Sequence, residues 1–125
     1  MTNQEASMTN QDAFDKMVAH LRKQGQKAQE NGTCRYRTKS GLMCAVGCLL
    51  TDEDYRPGME GMGVEPLLGV FDALPGLNEG LLAEMQDVHD SFDPSHWEEH
   101  FASTAATYGL VYVPPATPIQ PATAA

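Results

Sequence analysis

No lysine or arginine follows Arg56 in this 125-residue chain. A little more than half of the folded part is therefore expected to carry negative charge without lysine or arginine of its own. Long apolar runs are missing too. None approaches the roughly 18 residues that a membrane-spanning helix needs, and the longest candidate, Gly41 to Leu50, is interrupted by Gly47. The first residues, MTNQEASMTNQDAF, hold neither a basic cluster nor an apolar centre, so they are unlike a signal peptide and point to the cytoplasm. With only three cysteines (Cys34, Cys44, Cys48) in such a reducing compartment, free thiols are expected rather than a disulfide framework. The glycine-rich GMEGMG has no lysine and no following helix pattern, which excludes a Walker phosphate loop. The sequence HWEEH lacks the HExxH order of a zinc-protease helix.

What is present reads as one domain: 42% hydrophobic and 20% charged residues are ordinary for a globular chain of this length. The net charge of −9 is unevenly laid out. Met1 to Thr51 holds seven Lys/Arg and four Asp/Glu, or +3, whereas the remainder holds one basic residue and thirteen acids, or −12. An acidic chain of pI near 4.6 repels phosphate, so nucleic acid is not an expected partner even though Arg35, Tyr36 and Arg37 interleave an aromatic with guanidinium groups. The thirteen acids suit the opposite role, presentation of an acidic face to a basic cleft.

In chain order, residues 1–9 read as a flexible N-terminus. A helix is predicted from Thr9 or Asn10 with Phe14, Met17, Val18, Leu21 and Ala28 on one stripe, stopped by Asn31-Gly32. Thr33 to Thr38 alternates like a strand, and Lys39-Ser40-Gly41 supplies a turn, so a hairpin centred on Lys39-Ser40 is predicted. The return arm from Leu42 continues as strand or coils into a short helix; in either geometry Cys44 and Cys48 share a face. Thr51 caps a single turn with Asp54, and RPGMEGMG reads as an ordered loop. A short helix near Pro66 is predicted to turn Leu67, Val70, Phe71 and Leu74 inward. A second runs from about Leu77 to Phe92 on Leu81, Leu82, Met85, Val88 and Phe92. Asp93-Pro94 opens a third, with Trp97, Phe101, Ala105 and Tyr108 aligned and Gly109 as its stop. Leu110 to Val113 has strand propensity and is placed on the hairpin; residues 114–125, with four of the eight prolines, read as a disordered tail. The whole is an α+β domain over residues 10–113, mostly helical, with one hairpin and a single layer of helices around it.

Three chemistries compete. A structural zinc module would use Cys34, Cys44 and Cys48 with one of His20, His89, His96 or His100, although only Cys44 and Cys48 have knuckle spacing. A thiol-dependent enzyme or small-anion site would use Cys34, activated by Arg35 and Arg37. A binding surface would be built from Arg35, Tyr36 and Arg37 on the hairpin and from the exposed acids Asp52, Glu53, Asp54, Glu98 and Glu99. No catalytic constellation is complete in the sequence, so binding without catalysis, and without a cofactor, is the preferred reading.

The run CRYR, then GLMCAVGCLL, DEDY and MEG, preceded by a helix of the type HLRKQGQKA, resembles a block shared by short proteins of tailed bacteriophages and prophages. The resemblance covers about His20 to Gly61. It implies a context, an accessory protein in the host cell cytoplasm that binds a host protein, and it carries no site residues with it.

Overall fold

The computed structural model describes residues 8–115. Four helices and one two-stranded hairpin form a small α+β domain. Helix α1 (Asn10–Gln24) starts where the sequence predicts. The Thr9 hydroxyl accepts from the Asp12 N–H at 3.0 Å and the Asp12 carboxylate accepts from the Thr9 N–H at 3.1 Å, a reciprocal cap. Ala13, Phe14, Met17, Val18 and Leu21 are its buried stripe.

The helix ends earlier than predicted. Gly25, not Asn31-Gly32, takes the left-handed cap (φ 68°), and the Gln24 side chain turns away to bind the backbone of Met43 and Gln26. Asn31 (φ 53°) and Gly32 (φ 79°) instead make the tight turn between β1 (Gln29–Glu30) and β2 (Thr33–Cys34), the double positive φ of a type I′ hairpin. The hairpin therefore sits one turn before Lys39-Ser40. The chain does reverse at Lys39-Ser40, but a single bridge, Arg37 with Met43, joins its arms. The reason is competition for the next ladder bond: the Tyr36 N–H goes to the Glu60 carboxylate, and the Cys44 carbonyl accepts instead from the Cys48 N–H.

Cys44 through Leu50 are all buried, ending in a 3-10 turn (Gly47–Leu49) that packs on α1. Asp54 donates its N–H to the Thr51 hydroxyl at 3.0 Å, the predicted cap, and Pro57–Met59 makes a second 3-10 turn that buries Met59. Helix α2 (Val64–Phe71) places Val64 and Leu67 inward. Val70 is 69% exposed, contrary to expectation, because the register set by Val64 and Leu67 turns it to the outer side. The helix stops at a left-handed Asp72, so Leu74 lies in the following loop.

Helix α3 (Glu79–Ser91), capped by Asn78, buries Leu81, Leu82, Met85 and Val88 as predicted, and buries Gln86 and His89 as well. Asp93 caps a 3-10 turn (Pro94–His96) that leads into α4 (Trp97–Tyr108), closed by Gly109 at φ 68°. Trp97, Phe101, Thr104 and Ala105 are the buried side of α4, while Tyr108 is half-buried. Leu110 to Val113 adds no strand. The Gln11 amide takes both the N–H (2.8 Å) and the C=O (3.0 Å) of Val111 and lays this segment along α1. No helix among the described residues is long and apolar enough to cross a membrane. Most of the predicted N-terminal and Pro-rich tails lies outside the described residues.

Candidate functional site

Three polar residues of α3 organise the centre. Gln86, His89 and Asp90 fall at helical spacing and reach across to the segment from Ala28 to Val46. The Gln86 carbonyl oxygen accepts from the Val46 N–H at 3.0 Å, and its amide donates to Asp90 Oδ1 at 3.0 Å. His89 has no exposed surface. Its Nε2 accepts from the Ala28 N–H at 2.9 Å, so the ring proton sits on Nδ1, which donates to Asp90 Oδ1 at 2.7 Å. Trp97 stacks on the ring with centroids 5.8 Å apart. Buried backbone N–H groups need acceptors, and here side chains supply them where no strand does.

Cys34, at the end of β2, brings its sulfur beside this triplet. One donor atom each from Cys34, His89 and Asp90 lie within 4.8 Å of one another. The arrangement resembles a nucleophile with its base, but the proton inventory argues otherwise. Burial, then the neighbouring Asp90 charge, pushes the Cys34 thiol up, and the only nitrogen that could accept its proton is already occupied by Ala28. The same inventory opposes a metal ion: an ion on Nδ1 would move the proton to Nε2, facing the Ala28 N–H, and an ion on Nε2 would displace it. Cys34, Arg35, Tyr36, Gly61 to Gly63, Gln86 and Asp90 border a cavity of about 290 Å³ at this point.

Glu60 is a second hub, missed in the sequence. Its carboxylate accepts from the Tyr36 N–H (2.9 Å), the Arg37 N–H (3.1 Å) and the Tyr55 hydroxyl (2.6 Å). Burial and then the Glu60 carboxylate push the Tyr55 hydroxyl up to about 12. Tyr36 is buried, donates its hydroxyl to the Met62 carbonyl at 2.7 Å, and is held above its ordinary value chiefly by desolvation. Gly47 lies against its backbone, where a Cβ would stand 2.0 Å from the Tyr36 carbonyl oxygen.

The two arginines of the proposed Cys/Arg site diverge. Arg35 Nε lies 3.0 Å from Glu30 Oε1. Arg37 donates to Asp52 (2.7 Å) and to the Leu50 carbonyl (2.7 Å), with its guanidinium 5.0 Å from the Tyr55 ring centroid. The other cysteines are interior. Cys44 Sγ accepts from the Gly47 N–H, Cys48 donates to the Ala45 carbonyl, and burial pushes both thiols up, Cys48 to about 12. Among the described residues, Cys34, Cys44 and Cys48 do not converge on a common point with a histidine.

Of the sequence-nominated acids, Glu98 is engaged by Arg22 (both bonds 2.8 Å) and the Tyr112 hydroxyl (2.6 Å). Asp52, Glu53, Asp54 and Glu99 are exposed, and only Asp52 meets an arginine. Gln86, His89 and Asp90 carried a signal that periodicity reading passed over: Gln86 and His89 fall on the same helical face as Leu82 and Met85.

Fold and site together define a mostly helical α+β domain whose irregular first half is held by buried polar side chains and whose outer face is acidic. No protein-family model matches the chain, and neither a curated protein nor a solved structure shows significant similarity to it.

Proposed function

We propose that this chain is a phage or prophage accessory protein that acts without catalysis, by binding a basic host protein through its acidic exterior. The observation that carries this reading is the excess of exposed, unpaired acids over exposed, unpaired cations. Arg22, Arg35 and Arg37 are matched within the domain to Glu98, Glu30 and Asp52. Glu53, Asp54, Glu65, Asp72, Glu79, Asp87 and Glu99 are exposed with no lysine or arginine in ion-pair reach among the described residues. Lys16, Lys23, Lys39 and Arg56 are likewise exposed without an acid in ion-pair reach among the described residues, so the unpaired surface is mixed with acids in excess. A surface with such a net excess of one sign steers partners of the other and gives salt-sensitive association. The satisfied imidazole beside Cys34 supports the same reading by leaving thiol chemistry without a histidine base.

The test is capture of a host protein by the wild-type chain and by a Glu53→Lys/Asp54→Lys/Glu99→Lys variant, at low salt and at about 0.5 M salt. A basic partner retained at low salt, released at high salt and lost by the variant is the expected result. Retention of the same partner by the variant, or at high salt, overturns the proposal.

A further inference from the structure

Two cavities, of about 270 and 280 Å³, meet at the edge of the domain between the turn at residues 51–56 and the loop at residues 71–77. They share Asp54, Leu74 and Pro75, so they adjoin and together make a trough along this edge. Its two ends differ in character. Met8, Leu49 and Leu77 line one, an apolar slot; Phe71 walls the other, where Asp54 and Asp72 stand exposed. The loop that makes the trough holds two non-glycine residues with positive φ, Asp72 at 50° and Leu74 at 51°. For a leucine this conformation is uncommon, and Leu74 is kept in it while packed on the rim of the core.

Arg56 also lines the trough, but its guanidinium is folded back onto the carbonyls of Glu53 and Tyr55 in its own turn. It is one cation against Asp54 and Asp72 in the lining, and the sequence supplies no further lysine or arginine after it. An apolar slot that continues into an acidic mouth complements a chain segment in which an aliphatic side chain is followed by a lysine or arginine. The slot desolvates the aliphatic group and the carboxylates receive the cation, so both contributions come from one short stretch.

We infer that this trough is the docking site for an extended basic and apolar segment of the partner protein. The inference rests on the binding role proposed above and narrows it to one place. The probe is a fluorescently labelled peptide of alternating lysine and leucine, compared with oligolysine and with a peptide in which glutamate replaces lysine. Anisotropy gives the affinity and amide chemical shifts locate the contact. The expected result is shift changes concentrated in residues 49–56 and 71–77. Affinity should fall roughly tenfold or more for oligolysine, for the glutamate peptide and for an Asp54→Lys/Asp72→Asn variant. Asparagine is chosen at 72 because it tolerates the left-handed backbone as aspartate does.

Binding with shifts elsewhere, on α3 and α4 for example, and with affinity unchanged in the variant, overturns the trough and leaves the acidic-surface role standing. Failure of every cationic probe, together with failure to capture a basic partner, overturns both. Concentration-dependent self-association that the Asp54→Lys/Asp72→Asn variant abolishes would assign the trough to a second copy of the chain and overturn the inference.

Discussion

Ala28 donates its backbone N–H to Nε2 of His89 at 2.9 Å, across 61 positions of sequence. That bond fixes the tautomer, joins the segment before the hairpin to α3, and takes up the imidazole lone pair that could otherwise serve Cys34 as a base. Replacing His89 by phenylalanine keeps an aromatic ring against Trp97 but adds bulk to a closed site and leaves a buried N–H unpaired, which costs about 2 kcal/mol or more. His89→Gln offers an acceptor and should lose less. Urea denaturation of the two variants measures the difference, and equal losses would argue against the bond.

Glu60 holds two consecutive backbone N–H groups and a tyrosine hydroxyl with one carboxylate. Glu60→Gln keeps the shape, replaces charge-assisted bonds with neutral ones, and turns one acceptor into a donor facing an N–H or a hydroxyl. Destabilisation of about 1–3 kcal/mol is expected, with faster amide exchange at Tyr36 and Arg37.

A methyl group at residue 47 has no room beside the Tyr36 carbonyl. Gly47→Ala should destabilise by at least about 2 kcal/mol because the obstacle is backbone rather than a movable side chain. The melting temperature should fall accordingly, while an alanine at Gly69, where nothing lies within 4 Å, should leave it nearly unchanged or raise it.

All three thiols are held above their ordinary values, chiefly by burial. Raised values mean less thiolate at a given pH, so alkylation of the native protein near neutral pH should be slower at Cys34 than for an unstructured peptide thiol. Cys44 and Cys48 should react only on unfolding. Mass spectrometry of partially alkylated protein checks the order, and rapid selective modification of Cys34 would revive thiol chemistry.

Burial pushes the Glu98 carboxyl upward, but the hydrogen bonds from Arg22 and Tyr112 and the Arg22 charge outweigh it and leave it lowered. The stabilisation is therefore present above the ordinary carboxylate value and is lost as pH falls through the lowered one. Because the pair is about a third exposed, the effect is below about 1 kcal/mol. Glu98→Gln should flatten the acid limb of the stability profile by that amount, measured by denaturation across the acidic range.

The helices were legible because their signals are local. Thr9 with Asp12, Asp93-Pro94 and Gly109 act within a turn of where they stand, and Leu81, Leu82, Met85 and Val88 repeat at the helical period. The segment from Gly25 to Met43 misled for the opposite reason. Asn31-Gly32 suits a helix end and a hairpin turn equally, and the choice fell to Gly25 once Gln24 found Met43.

Cap residues, hydrophobic period and the one-sided charge count were settled by the order of amino acids alone, since each depends on near neighbours or on composition. Which donors meet which acceptors, that Glu60 serves Tyr36 and Arg37, that His89 serves Ala28, and that Arg37 and Arg35 point to different acids, was settled only when distant segments packed. A buried N–H takes whichever acceptor the fold brings within reach, and linear spacing carries no record of that choice.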